Sequence, residues 1–194
     1  MTPPPTAQGM DALRALAAEA GAESARAVAR LLGGESSLDG VEALASADAA
    51  SLAAAAGALG PDLVAVGMDL AGPLRGRLVL LVGAPDAERI ATTLVPSAAA
   101  GSLDALGESA VVEAGNIAGS TFVSSLSRRL AAPLLHGVPR LTRGSPGSCL
   151  AELAGRSPGP ALLPSFRCAG LRAMLLFLPD AERTLALVAA REAR

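Results

Sequence analysis

The sequence predicts an α/β chain of the α+β kind: two copies of one unit share a mainly antiparallel sheet, long helices lie on one face, and a pseudo-twofold relates the halves. Three observations predict it. The pentapeptide Pro-Asp-Ala-Glu-Arg occurs at 85–89 and again at 179–183. Each copy follows an apolar run of strand length and opens an amphipathic segment, in "LVLLVGAPDAERIATTL" at 78–94 and "AMLLFLPDAERTLALVA" at 173–189. The elements upstream of each copy recur in the same order.

Each element has a local reason. Proline suits the first turn of a helix, where its missing N–H is not needed, and an acidic residue there complements the helix N-terminus. Both pentapeptides therefore mark a strand running into a helix. Upstream of each lies a second apolar run, 62–72 and 161–170, and Gly72-Pro73 and Gly170 place a hairpin turn after each. Further upstream stands a long helix in each half, about 10–33 and about 104–131, then a strand and a short helical piece, about 46–58 and about 147–155. Residues 1–9, with Pro3–Pro5, read as a flexible tail. Residues 10–194 read as a single domain of two repeats, about 10–95 and 103–192, joined by "VPSAAAGS" at 95–102.

Composition narrows the function classes. Half of the 194 residues are hydrophobic, nearly all Ala, Leu and Val, which is enough for a substantial core. The net charge of −2 offers no electrostatic case for nucleic acid or an anionic membrane. No stretch reads as a secretory signal or a membrane span. Cys149 and Cys168 are too few and too far apart for a zinc site or a disulfide framework, so reduced thiols in a cytoplasmic protein are expected. His136, the single histidine, has no second histidine with which to hold a metal and reads as a loop or core residue.

The second long helix carries the distinctive residues. Asn116 is the only asparagine in the chain, and asparagine is a mediocre helix former because its side chain competes for backbone groups. At 100° per residue, Val111, Gly115, Ala118, Phe122 and Leu126 form one stripe that should face the core. Nearly opposite, Ser109, Glu113, Asn116, Ser120 and Ser127 fall within roughly 60° of arc. An exposed Glu and Asn one turn apart are ordinary on a solvated face. The use of the sole asparagine there, among the small neighbours of "AGNIAGS", suggests side chains that stand proud so that a partner can approach closely.

Ser109, Glu113, Asn116 and Pro139 also follow the spacing Ser/Asp-x3-Glu-x2-Asn-x22-Pro, which resembles the signature of the CheC phosphatases, a group that includes CheX and the phosphatase part of FliY. "EAGNIAGSTFVSSLSRRL" is similar to that family's motif helix and "LLFLPDAERTL" to its closing strand-to-helix junction. The resemblance covers nearly the whole chain. It implies a CheC-like fold and a phosphatase acting on the aspartyl phosphate of a CheY-type response regulator in chemotaxis or related signalling. It also implies the roles: Asn116 orients the attacking water, Glu113 pairs with the regulator's lysine, Ser109 adds a hydroxyl at the edge of the contact, and Pro139 shapes the following segment. With Ser120 of the polar stripe, Ser109 and Pro139 make up the substrate-binding candidates. No cofactor of the chain's own is implied, since Mg²⁺ belongs to the regulator. CheD is a second partner that the resemblance admits.

One departure is evident. Family members often carry a motif in each half. Here Glu113 and Asn116 correspond on the first helix to Leu16 and Glu19 at an offset of 97, or to Ala15 and Ala18 at 98. Neither register restores the pair, and Glu42 and its neighbours stand where a proline would. The chain thus looks most like CheC with only the second motif intact. A binding module for a response regulator or CheD, without turnover, is the alternative. Because the duplication already supplies a second half, a monomer is expected.

Overall fold

A computed structural model describes residues 7–96, 103–153 and 159–180. The proline-rich residues 3–5, most of the expected linker and the helix expected after Pro179 lie outside the described residues. The first half runs α1 (Ala7–Leu32), β1 (Ser36–Ala47), α2 (Ala49–Ala56), β2 (Leu63–Ala71), β3 (Gly76–Gly83) and α3 (Ala84–Leu94). The second runs α4 (Ala105–Leu130), β4 (Leu135–His136), β5 (Arg140–Gly144), α5 (Pro146–Leu153), β6 (Gly159–Cys168) and β7 (Leu171–Pro179). Helix α1 begins three residues inside the segment expected as tail.

One seven-stranded sheet runs β1-β6-β7-β3-β2-β4, with β5 also paired to β2, and every pairing is antiparallel. The hairpin turns fall at the glycines that the sequence marks. Gly72 has φ 117°, and Ala169-Gly170 close β6 onto β7 with φ 50° and 75°, the pair of positive dihedrals a two-residue type I′ turn requires. Pro85 sits in the first turn of α3, as the pentapeptide predicts.

The pseudo-twofold passes between β3 and β7. Counting 94 residues on from Leu80 and Leu81, the spacing of the pentapeptides (179 − 85), leads to Met174 and Leu175. The register pairs Leu80 with Leu175 and Leu81 with Met174. Each residue faces the equivalent of its neighbour, so the axis runs between the two pairs. The halves also exchange strands, since β1 pairs with β6 and β5 with β2.

Both long helices pack on one face over a core that includes Val66, Met68, Leu78, Phe122, Phe166 and Phe177. The Phe122 and Phe177 rings meet edge to face at 5.5 Å, a favourable aromatic geometry. The reading of long helices on one face holds. The short helices α2 and α5 add a layer on the opposite face, where Leu52 and Leu150 pack with Leu63, Leu81 and Leu176 in a second core. Among the described residues, no helix is long and apolar enough to cross a membrane.

Candidate functional site

Helix α4 is positioned from both ends and from below. At its start the Asp104 carboxylate accepts from the Gly107 N–H at 2.8 Å, satisfying a donor that the first turn leaves open. At its end Ala131 takes a left-handed conformation, φ 48°, and Ala132 N–H returns to the Ser127 carbonyl. Ser127 Oγ donates to the Ala132 carbonyl and accepts from Leu134 N–H. Ser127 is thus engaged in turning the chain into β4 and does not belong to the open ridge. Along the underside, Gly115 lies over Val66 and Gly119 over Met68, close enough that a Cβ on either would overlap those side chains. The small residues around Asn116, expected to give a partner clearance, instead seat the helix on its own sheet.

The predicted core stripe of Val111, Gly115, Ala118, Phe122 and Leu126 is buried. The opposite stripe faces outward: Ser109 and Glu113 are exposed, and Asn116 and Ser120 are half-buried. Glu113 and Asn116 are one turn apart, about 5–6 Å between Cβ atoms, and neither makes a hydrogen bond or ion pair with the described residues. Ser109 Oγ donates to the Ala105 carbonyl of its own helix. Leu106, one of the large apolar side chains left exposed, opens the same ridge.

The β4–β5 segment borders this ridge at the open edge of the sheet. Val66, beneath Gly115, pairs with Leu141, and Gly67 pairs with Arg140. Half-buried Pro139 enters β5 at the level of Gly67, in the stretch between the α4 seats at Val66 and Met68. At the start of the ridge Arg143 binds Glu108 at 3.1 Å and donates to the Leu103 carbonyl, tying the edge strand to the first turn of α4. His136 comes to the ridge as well. Its Nε2 lies 2.8 Å from Ser120 Oγ and its Nδ1 2.9 Å from the Gly137 carbonyl. A loop or core role was the sequence expectation for His136, and a lone histidine sixteen residues beyond Ser120 carries no signal of such a contact.

The first helix lacks the pair in three dimensions too. Helices α1 and α4 share bounds at an offset of 98 (105 − 7 and 130 − 32). In the same register Gly21 presses on Pro164 of β6 as Gly119 presses on Met68 of β2. Glu113 and Asn116 therefore correspond to Ala15 and Ala18. The alternative partner at the 97 offset, Glu19, is bound to Arg129.

Other chemistries find little here. Among the described residues no cluster of three His, Cys, Asp or Glu side chains is placed to hold a metal ion. Cys149 and Cys168 are buried. Burial, and then the Asp86 carboxylate, push the Cys168 thiol up to about 11, so it stays protonated and unreactive at neutral pH.

No protein-family model and no curated protein matches the sequence. Solved structures match its shape over nearly all of its length. FliY from Thermotoga maritima is similar at a TM-score of 0.68 and 14% identity, over 97% of this chain and 98% of that one. The FliM middle domain from H. pylori is similar at 0.64 and 8%, over 95% and 99%. The chemotaxis protein CheX from Desulfovibrio desulfuricans is similar at 0.62 and 11%, over 86% and 99%. With its strand-exchanged duplication and its two long helices on one face, the chain has the CheC-like fold that FliY, CheX and the FliM middle domain share.

Proposed function

We propose that this chain accelerates hydrolysis of the aspartyl phosphate on a CheY-type receiver domain. The observation that supports this reading is the pair Glu113 and Asn116, one turn apart on the outward side of α4 and without partners among the described residues. Fold alone does not decide activity. The side chains do.

An acyl phosphate needs little covalent assistance. It needs a water held in line with phosphorus and neutralisation of the phosphoryl charge, which Mg²⁺ on the receiver supplies. A carboxamide suits the holding of that water, because the Asn116 oxygen accepts from it and the NH₂ donates, without a change of charge. The Glu113 carboxylate pairs with a cationic group beside the phosphorylation site and holds the helix in register. Ser109, Ser120 and Pro139 border the contact. The site draws on no cofactor held by this chain.

Phosphate release from a phosphorylated receiver in Mg²⁺, with and without this protein, tests the proposal. Asn116→Ala should abolish the acceleration while leaving binding measurable, and Glu113→Ala should weaken both. Wild-type turnover by Asn116→Ala would remove the catalytic assignment. The alanines at 15 and 18 favour a second reading, a receiver-binding or CheD-binding module that keeps one docking ridge without turnover. Binding without any acceleration of phosphate release selects it.

A further inference from the structure

His136, the only histidine of the chain, stands beside the ridge with no part in the mechanism above. Its two ring contacts fix the tautomer of the neutral ring. Nδ1 faces the Gly137 carbonyl, which can only accept, so Nδ1 carries the hydrogen. In the neutral imidazole Nε2 is then bare, and the bond to Ser120 runs from the serine hydroxyl to the ring. Helix α4 and β2 are the elements packed on β4. On β2, Leu70 pairs with His136, and the Asp69 carboxylate is bound to Arg77. On α4, Glu113 lies seven residues from Ser120, about 10 Å along the axis. With its hydrogen committed to Nε2, Ser120 Oγ has only lone pairs left to offer outward.

We propose that His136 is a positioning residue of the ridge: by holding the Ser120 hydroxyl hydrogen, it makes Ser120 Oγ a fixed acceptor for an N–H donor of the docked receiver, one turn from Asn116. The inference rests on the reading of this ridge as a receiver-docking surface. A free hydroxyl rotates to suit any neighbour. One locked by imidazole rewards a donor at that place and leaves an acceptor facing lone pairs. The same bond holds the start of the β4–β5 segment against α4, so the acceptor and the edge strand move as one piece.

The test uses a phosphorylated CheY-type receiver with Mg²⁺ for turnover and its beryllofluoride–Mg²⁺ form for binding, with thermal melts of every variant. Ser120→Ala and His136→Phe should each lower kcat/KM and weaken binding about tenfold, the scale of one such hydrogen bond. Their combination should do no more than either alone. His136→Gln, which keeps an acceptor, should restore at least half of the lost function, and His136→Lys, which can only donate, should not. Wild-type behaviour of Ser120→Ala, additive losses, or equal failure of Gln and Phe at 136 overturns the proposal. Should His136→Phe fail to fold, Ser120→Ala and His136→Gln decide. If Asn116→Ala is inactive while Ser120→Ala is wild type, the positioning role falls and the phosphatase reading stands. If the wild type binds the receiver without turnover, the phosphatase reading falls and the Ser120 and His136 variants are judged on binding. A wild-type protein that neither binds nor dephosphorylates removes both.

Discussion

Gly115 and Gly119 set the height of the motif helix above the sheet, and they differ in what an added methyl would meet. At Gly115 a Cβ would stand 2.6 Å from Val66 Cγ1 and 2.7 Å from Val66 Cβ. Valine is branched at that atom and stiff in χ1, and Val66 is fully buried, so the helix itself must lift. Overpacking of this kind costs about 1–3 kcal/mol, against roughly 1 kcal/mol gained in helix propensity. At Gly119 the overlap is with Sδ and Cε of Met68, the far end of a flexible side chain that repacks readily. Urea denaturation should therefore show Gly115→Ala destabilised by up to about 2 kcal/mol, and more than Gly119→Ala, which should stay within about 1 kcal/mol of wild type. The reverse ranking would mean that α4 does not rest on β2 as described. At the end of the same helix Ala131 holds φ 48° while exposed. A left-handed conformation costs an L-residue about 1–2 kcal/mol, more than the unfolded-state entropy that glycine adds, about 0.4–1 kcal/mol. Ala131→Gly should raise stability by about 0.5–1 kcal/mol on that balance, read as a higher urea midpoint with an unchanged slope.

At the scale of elements, the two long helices are joined inside and out. Inside, the fully buried Ser24 hydroxyl lies within bonding distance of the Ala118 carbonyl at 2.9 Å and the Ala20 carbonyl of its own helix at 3.0 Å. Outside, Glu23 accepts from Arg128 at 2.6 Å and Arg129 at 3.1 Å, and Glu19 also binds Arg129. Partial burial pushes the Glu23 carboxyl up, but hydrogen bonds from Arg128, Ser125 and Arg129 outweigh it and hold the group below the usual glutamate range. A carboxyl depressed in the folded state stabilises fully above its unfolded pKa, about 4.3, and loses that contribution as pH falls through the folded value. Glu23→Gln should thus lower stability by roughly 1 kcal/mol at pH 7, the upper range for a partly exposed network. The gap to wild type should close as the pH falls below about 4.3 and through the lowered folded value, and a gap independent of pH would show that lost packing, not charge, sets the effect. These contacts were not legible in the sequence: a Glu and two Arg lying 105 and 106 residues apart have no local signature. The helices themselves were, because each repeats its apolar stripe over 26 residues. The outward face of Glu113 and Asn116 followed from the same periodicity. The approach of His136 did not, since it depends on β4, a two-residue strand formed by pairing with Leu70 and Ala71.

For the whole molecule, the decisive feature is that each half finishes the sheet of the other. The repeated pentapeptide made the duplication legible, because in each half it follows an apolar run of strand length. It said nothing about which strands pair, since a strand's alternation identifies its buried face and not its neighbour. Among the described residues β1 pairs only with β6, and β5 only with β2. Without the second half, β1 would expose its whole ladder, and Val64, Val66, Met68 and Leu78 would lose the cover of α4. Burial of side chains of that size contributes about 1.5–3 kcal/mol each, against a total stability of about 5–15 kcal/mol, so neither half can stand alone. Cleavage between residues 96 and 103 should therefore give two fragments that are each unfolded by far-UV circular dichroism, and that regain the native spectrum when mixed. The linker sets an effective concentration in the millimolar range, so the mixed fragments should melt at a temperature that rises with concentration, while the intact chain melts at a fixed one. A first-half fragment that folds cooperatively by itself would show that the strand exchange is not what holds the halves together, and would move the motif helix from a structural necessity to an appended device.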